Sequence, residues 1–240
     1  MLTVEDLWVN VDDKQVLKGV NFEIPDGRTH ILFGKNGSGK TTLLLTLIGF
    51  SAYEVVQGRI LFKGIDVTRM PVNERVQLGM GVSFQRPPTV RGLLTRQMAD
   101  ICNRSGADYV ELAERLNFTD FLDRELNVGF SGGEMKRSEM LQLMLQKPDF
   151  IMLDEPESGV DIENMHLIGK VASELLERHL NRTRKRSGLI ITHTGYILDY
   201  LNADLGYVMI DGAIVCSGNP YQIFSTINEK GFEECAQCAI

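Results

Sequence analysis

Between Leu2 and Ile24 apolar and polar positions alternate on either side of Asp12–Asp13. A period of two broken by a polar turn predicts two antiparallel strands. The short apolar run His30–Phe33 ends in a glycine-rich loop. A helical period then spans Thr41 to Ile48 and stops at Gly49. Gly58–Asp66 predicts another strand pair. From Asn73 to about Asn127 the pattern is mostly helical, with Arg91–Ile101 and Asp108–Leu116 the clearest pieces. Further on, short apolar runs recur at Phe150–Leu153, Leu189–Thr192 and Tyr207–Ile210, separated by helix-period segments. Continuous apolar runs alternating with helices predict parallel strands buried on both faces. The expected architecture is an α/β core with an N-terminal antiparallel β subdomain and an inserted helical subdomain. There is no internal repeat and no low-complexity linker.

Composition narrows the function classes. A chain of 240 residues suits one large domain, or one core with an inserted lobe. The formal net charge of −7 argues against a surface that coats nucleic acid. The basic run Arg182–Arg186 is too short to change that and predicts a solvated loop. Met1–Asn10 mixes acidic and apolar residues, unlike a signal peptide. No stretch approaches the ~20 apolar residues of a membrane helix. The expectation is a cytoplasmic chain without direct membrane insertion, which meets a membrane only through a partner. Four cysteines, Cys102, Cys216, Cys235 and Cys238, are too few for a disulfide framework and are expected to be reduced.

Two motifs carry chemistry. Gly34-Lys35-Asn36-Gly37-Ser38-Gly39-Lys40-Thr41 matches G-x-x-x-x-G-K-[ST], after a strand and before a helix. Glycines let backbone N–H groups curl around phosphates, and the helix start points its positive dipole end at the anion. Lys40 is placed to reach the β- and γ-phosphates of a nucleotide, and Thr41 to ligate Mg²⁺. The candidate nucleotide-binding set is Gly34, Asn36, Gly37, Ser38, Gly39, Lys40, Thr41 and Thr42. In Phe150–Glu155 four apolar residues precede two carboxylates, the Walker B pattern. A buried parallel strand would deliver Asp154 to the Mg²⁺ shell, and Glu155 would orient or deprotonate the attacking water.

Up to this point the chain reads as a phosphate-loop NTPase that binds ATP and Mg²⁺. Phe130-Ser131-Gly132-Gly133-Glu134, ahead of the Walker B strand, resembles the signature motif of ATP-binding cassette proteins. Gln85 in Val82-Ser83-Phe84-Gln85 is similar to their Q-loop, Ser158-Gly159-Val160-Asp161 to their D-loop, and His193 to their switch histidine. Five motifs in the family's order cover nearly the whole chain. The resemblance implies that Gln85 touches Mg²⁺ or the lytic water and joins a core (about 1–85 and 131–240) to a helical lobe (about 86–130). It implies that His193 contacts the γ-phosphate. It also implies that Ser131 and Gly133 act on the nucleotide of a second chain, in an ATP-dependent head-to-tail homodimer. Many cassettes stack an aromatic residue on adenine; the matching position here is about Val11, with Trp8 at another phase of the strand.

Within that family, Asn127–Glu139, Glu157–Ile162 and Ile197–Tyr200 resemble SufC, the ATPase of the Suf iron–sulfur cluster assembly system. That resemblance implies a SufB-like scaffold partner, with a SufD-like protein as a second candidate. The groove at Pro87–Leu94 is the expected contact. Pro156, Thr194-Gly195 and the C-terminal tail depart from the SufC pattern, so the motor subunit of a membrane transporter stays open as the alternative. A cassette of DNA repair or translation is the third class; those proteins usually carry long coiled coils, zinc insertions or two cassettes in one chain, and none is present in this sequence. Cys235-Ala236-Gln237-Cys238 is expected to be a flexible tail with incidental thiols, with metal contact or a redox role as the other readings.

Overall fold

A computed structural model describes residues 1–180 and 184–237; Arg182 in the basic run and Cys238 lie outside them. Strands β1 (Leu2–Val11) and β2 (Lys14–Ile24) form the predicted hairpin. Asp12 and Asp13 both take positive φ (46° and 61°), as a two-residue turn with the strands' own twist requires. Strand β3 (Thr29–Phe33) leads through the glycine-rich loop into α1 (Lys40–Ile48). Gly49, at φ 96°, closes that helix with its N–H on the carbonyl oxygens of Leu45 and Thr46. Strand β4 (Glu54–Phe62) is longer than the sequence pattern suggests and pairs with β1 and with the short β5 (Ile65–Asp66). The resulting antiparallel sheet has the order β2-β1-β4-β5.

The stretch expected to be mostly helical contains three strands. Helix α2 (Val72–Gln77) precedes β6 (Met80–Ser83). Strand β7 (Val90–Leu94) occupies the first part of the predicted helix Arg91–Ile101, which starts only at α3 (Thr95–Cys102). Gly92, at φ 80°, cannot sit in a helix; its N–H donates to the Glu125 carboxylate at 2.8 Å. Gln97 then accepts the Leu94 N–H at 2.8 Å and marks the true helix start. Helix α4 (Tyr109–Arg115) follows, then a single 3₁₀ turn at Thr119–Phe121 and β8 (Glu125–Leu126), which pairs with β7.

Helix α5 (Gly132–Gln146), β9 (Phe150–Asp154), α6 (Ile162–Leu175), β10 (Ser187–Thr192), β11 (Leu205–Ile210) and β12 (Ala213–Gly218) follow, and α7 (Pro220–Lys230) and α8 (Phe232–Gln237) end the described chain. The central sheet runs β12-β11-β3-β10-β9-β6, parallel except for β12. Strands β3, β9 and β10 are buried along their whole length, as continuous apolar runs predict. Their alternating residues feed two cores. Ile31, Phe33, Ile151, Leu153 and Ile190 pack with α5 and α6 residues such as Met140, Leu143 and Ile168. Leu32, Phe150, Met152, Leu189 and Ile191 face α1 and the antiparallel sheet. No described helix is long and apolar enough to cross a membrane.

Candidate functional site

In an open parallel sheet, ligands sit at the carboxyl ends of the strands. Here four neighbouring strands, β3, β10, β9 and β6, deliver the glycine-rich loop, His193, Asp154-Glu155 and Gln85 to one edge. Register aligns them, with Ile191 opposite both Leu32 and Asp154. The sequence places these residues far apart, and the strand order brings them together.

Within the loop, Gly37 (φ 83°) and Gly39 (φ 106°) take left-handed conformations that ordinary side chains disfavour. Lys35, Asn36 and Gly37 are exposed. Lys40 is 5% exposed and folds its amine back over the loop, donating to the carbonyl oxygens of Gly34 at 2.7 Å and Lys35 at 3.0 Å. Burial lowers its pKa, against the pull of Glu155 and Asp154. Thr41 and Thr42 open α1, and the Thr41 hydroxyl donates to Asp154 Oδ2 at 3.2 Å.

Asp154 is 1% exposed, and its Oδ1 has no hydrogen-bond partner among the described residues. Burial pushes its pKa up to about 6, opposed by the Thr41 hydroxyl and reinforced by Glu155. Ser38 Oγ is likewise buried without a partner. Buried polar atoms are normally satisfied. An orphaned carboxylate oxygen beside a threonine hydroxyl is the oxygen donor chemistry that suits Mg²⁺. An orphaned serine hydroxyl inside the glycine-rich loop suits a phosphate.

Glu155 has a positive φ of 44°, a costly conformation for a side-chain-bearing residue and one that clusters at functional sites. It is held by its N–H on the Ile191 carbonyl oxygen at 2.8 Å. Its side chain accepts from Gln85 Nε2. His193 Nδ1 stands 2.9 Å from Glu155 Oε1, a close approach outside hydrogen-bond angles. Gln85, Glu155 and His193 therefore meet at one carboxylate. Thr192 Oγ1 receives the N–H groups of Thr194 and Gly195 at 3.1 and 2.9 Å and itself donates to Glu157, which also accepts from Thr194 Oγ1 at 2.8 Å. This network, which sequence reasoning missed, holds the turn that carries His193.

Ser131 caps α5. Its N–H donates to Glu134 Oε2 at 2.7 Å, and Ser131 Oγ accepts the Glu134 N–H at 3.4 Å. Gly132 lies so close to Gly159 that an added Cβ would collide with the Gly159 carbonyl oxygen, while Gly133 faces the Asn164 side chain. The signature segment thus packs against the Ser158–Asp161 loop of its own chain. Among the described residues, no hydrogen bond joins Ser131 or Gly133 to Gly34–Thr41.

Val11 closes the β1–β2 hairpin opposite Lys14; the hairpin meets the loop through Leu17, which lies against Gly39. Trp8 Nε1 is engaged by Asp6 Oδ1 at 2.8 Å. The flexible-tail reading fails at Cys235, which is 2% exposed on α8 and part of the core. An apolar face formed by Phe232 and Cys235 on a short helix explains the docking. Cys102 and Cys216 are free thiols, as expected.

Known proteins resemble this chain in sequence and in fold. The family model described as "ABC transporter" matches residues 17–158. A probable ABC transporter ATP-binding protein of Streptococcus pyogenes is 34% identical, over 99% of this chain and 95% of that one. A probable ATP-dependent transporter, SufC of Escherichia coli, is also 34% identical, over 97% of each chain. A nucleotide-free ATP-binding cassette from an ABC transporter superposes with a TM-score of 0.78 at 24% identity, covering 98% of each chain. A bacterial Atm1-family ABC exporter with ATP bound gives 0.77 at 20% identity, covering all of this chain and 42% of the exporter chain.

Proposed function

The chain belongs to the ABC transporter family and is an ATP-binding, ATP-hydrolysing cassette; from that premise we propose that it powers a SufB-type iron–sulfur cluster scaffold. In this reading Gly34, Asn36, Gly37, Ser38, Gly39 and Thr42 cradle the phosphates, with Lys40 neutralising the β,γ-bridge. Thr41, Asp154 and Gln85 hold Mg²⁺, which supplies charge neutralisation on the transferring phosphoryl group. Glu155 orients the water and takes its proton, and His193 steadies the γ-phosphate. Val11 contributes an apolar contact to adenine. Ser131 and Gly133, which among the described residues make no hydrogen bond to their own loop, serve a second copy's nucleotide in this reading, so two chains close head to tail. Residues 86–130 move as a lobe against the core, 1–85 and 131–240, and the working location is the cytoplasm.

The observation that carries the scaffold assignment is the likeness to SufC over 97% of both chains, together with the residues Asn127–Glu139, Glu157–Ile162 and Ile197–Tyr200. A groove beside Gln85 supplies the docking place. It has a volume of about 230 Å³ and is lined by Val76, Phe84, Pro87, Val90, Met98 and Leu126 among others. A SufB-like protein, or a SufD-like one, seats a helix there and feels cassette closure as a rigid-body displacement. The equal identity to a protein named as a transporter subunit favours the second reading, a membrane permease in the same groove. Purifying the native chain from unfractionated cells with its partners separates the two. Co-purification of a cluster-assembly protein that raises ATP turnover is the expected result; recovery of an integral membrane protein alone would transfer the assignment to transport.

A further inference from the structure

Lys136 and Glu139 are 1% and 6% exposed, on α5, one turn apart and 3.3 Å from each other. Charged side chains are rarely buried without a reason, because desolvation is costly unless each charge is paired and hydrogen-bonded. Burial raises the Glu139 pKa against the opposing effect of Lys136. Both partners spend their remaining hydrogen bonds in one place. Glu139 accepts from Ser83 Oγ at 2.7 Å and from the Phe84 N–H at 2.8 Å, while Lys136 donates to the Phe84 carbonyl oxygen. The Phe84 peptide groups are therefore clamped on both sides, immediately before Gln85. Gln85 in turn reaches Glu155. The other end of α5 is the Ser131 cap and the signature glycines.

We propose that the buried Lys136–Glu139 pair is a positioning element for ATP hydrolysis, clamping the backbone that aims Gln85 at Glu155 and tying it to the helix that begins at Ser131. Neither residue touches the nucleotide in this scheme. Ser131 serves a second copy's site and Gln85 its own, so α5 and the pair link the two: a shift of α5 on engaging the second copy moves the Phe84–Gln85 segment with it. An α5 displacement that leaves Gln85 behind would have to break both Phe84 hydrogen bonds. The inference rests on the roles given above to Gln85 and Ser131.

A double-mutant cycle tests it on the full chain. The paired variant K136M/E139L removes both charges at similar volume, a replacement that buried ion pairs often tolerate in stability. Glu139→Gln is the milder companion, keeping an acceptor for the Phe84 N–H but losing the charge opposite Lys136. Each is combined with Gln85→Ala. The expected result is a kcat lowered roughly 10- to 100-fold with KM for ATP little changed, because misplacement of a positioned group acts on turnover more than on binding. Adding Gln85→Ala to either background should then cost little more, since both changes disable one unit. Multiplying losses, or an unchanged kcat in both backgrounds, would overturn the proposal. Melting temperature is followed in parallel; if the paired variant fails to fold, the Glu139→Gln cycle alone decides between these outcomes. A wild-type chain whose turnover ignores Gln85→Ala would instead refute the role of Gln85 on which the inference stands.

Discussion

At the residue scale the site holds charge that the fold alone would not choose. Asp154 is the sharpest case, a buried carboxyl whose pKa is pushed up to about 6 from 3.8. A raised carboxyl pKa means the folded state binds the proton more tightly than the unfolded chain. Stability from Asp154 is thus fully present below pH ~4 and is lost as pH rises through about 6. That difference in proton affinity corresponds to about 3 kcal/mol. Asp154→Asn should therefore raise the melting temperature at pH 8 in the absence of nucleotide and Mg²⁺. That gain should vanish towards pH 4, and Mg-ATP should stabilise the wild type far more than the variant. Differential scanning calorimetry across pH checks both signs. Lys40→Ala should remove nucleotide binding and turnover together, since charge neutralisation at the phosphates is its proposed role; fluorescent-nucleotide titration reads the first and phosphate release the second.

At the element scale, strand ends and helix starts do the positioning. Helix α5 begins where Gly132 presses on the Ser158–Asp161 loop, and the two glycines there are not equivalent. Gly132→Ala forces a Cβ onto the Gly159 carbonyl oxygen, whereas Gly133→Ala meets the movable Asn164 amide. Overpacking against backbone costs about 1–3 kcal/mol, so Gly132→Ala should melt several degrees lower, at ~2–4 °C per kcal/mol for a chain of this size, and Gly133→Ala much closer to wild type. Thermal denaturation of the pair settles the order. Elements were unevenly legible in the sequence. The hairpin turn at Asp12–Asp13, α1 with its Gly49 stop, and β9 and β10 follow from local pattern. Strand β6 is only four residues inside a stretch of helical period, and β7 takes its strand character from pairing with β8, more than 30 residues away. Local pattern carries no record of such a partner.

At the scale of the whole molecule, the signature segment packs on the Ser158–Asp161 loop of its own chain, and the proposed site takes its signature residues from a second copy. Glu155→Gln keeps an acceptor for Gln85 while removing the proposed general base. It should retain ATP binding, slow hydrolysis by roughly 10²–10⁴, and so hold two chains together on the uncleaved nucleotide. Size-exclusion chromatography with light scattering in Mg-ATP reads this. A dimer peak that appears with ATP and not with ADP is expected; a strictly monomeric variant at saturating ATP would count against the two-chain site. Helix α8 is a tertiary addition that composition hides. Its Glu233 reaches Lys35 in the phosphate loop at 3.0 Å, and Cys235 is buried.

The amino-acid sequence by itself determined the chemistry. Gly34–Thr41, Asp154-Glu155 and Ser131–Glu134 are contiguous, and a glycine loop between strand and helix shapes its own cradle whatever surrounds it. The same holds for the continuous apolar runs, whose burial on both faces is their only stable outcome. Tertiary structure alone decided which strand ends lie side by side, putting His193 between the glycine loop and Asp154, and Gln85 against Glu155. It also decided that Lys136 and Glu139 turn inward to a peptide 55 residues upstream of Glu139. A charge pair one helical turn apart is ordinary on a solvated face, and only packing shows what it grips. Chain neighbours interact at every stage of folding and leave their mark on residue pattern, whereas contacts across long loops exist only once the sheet has chosen its strand order.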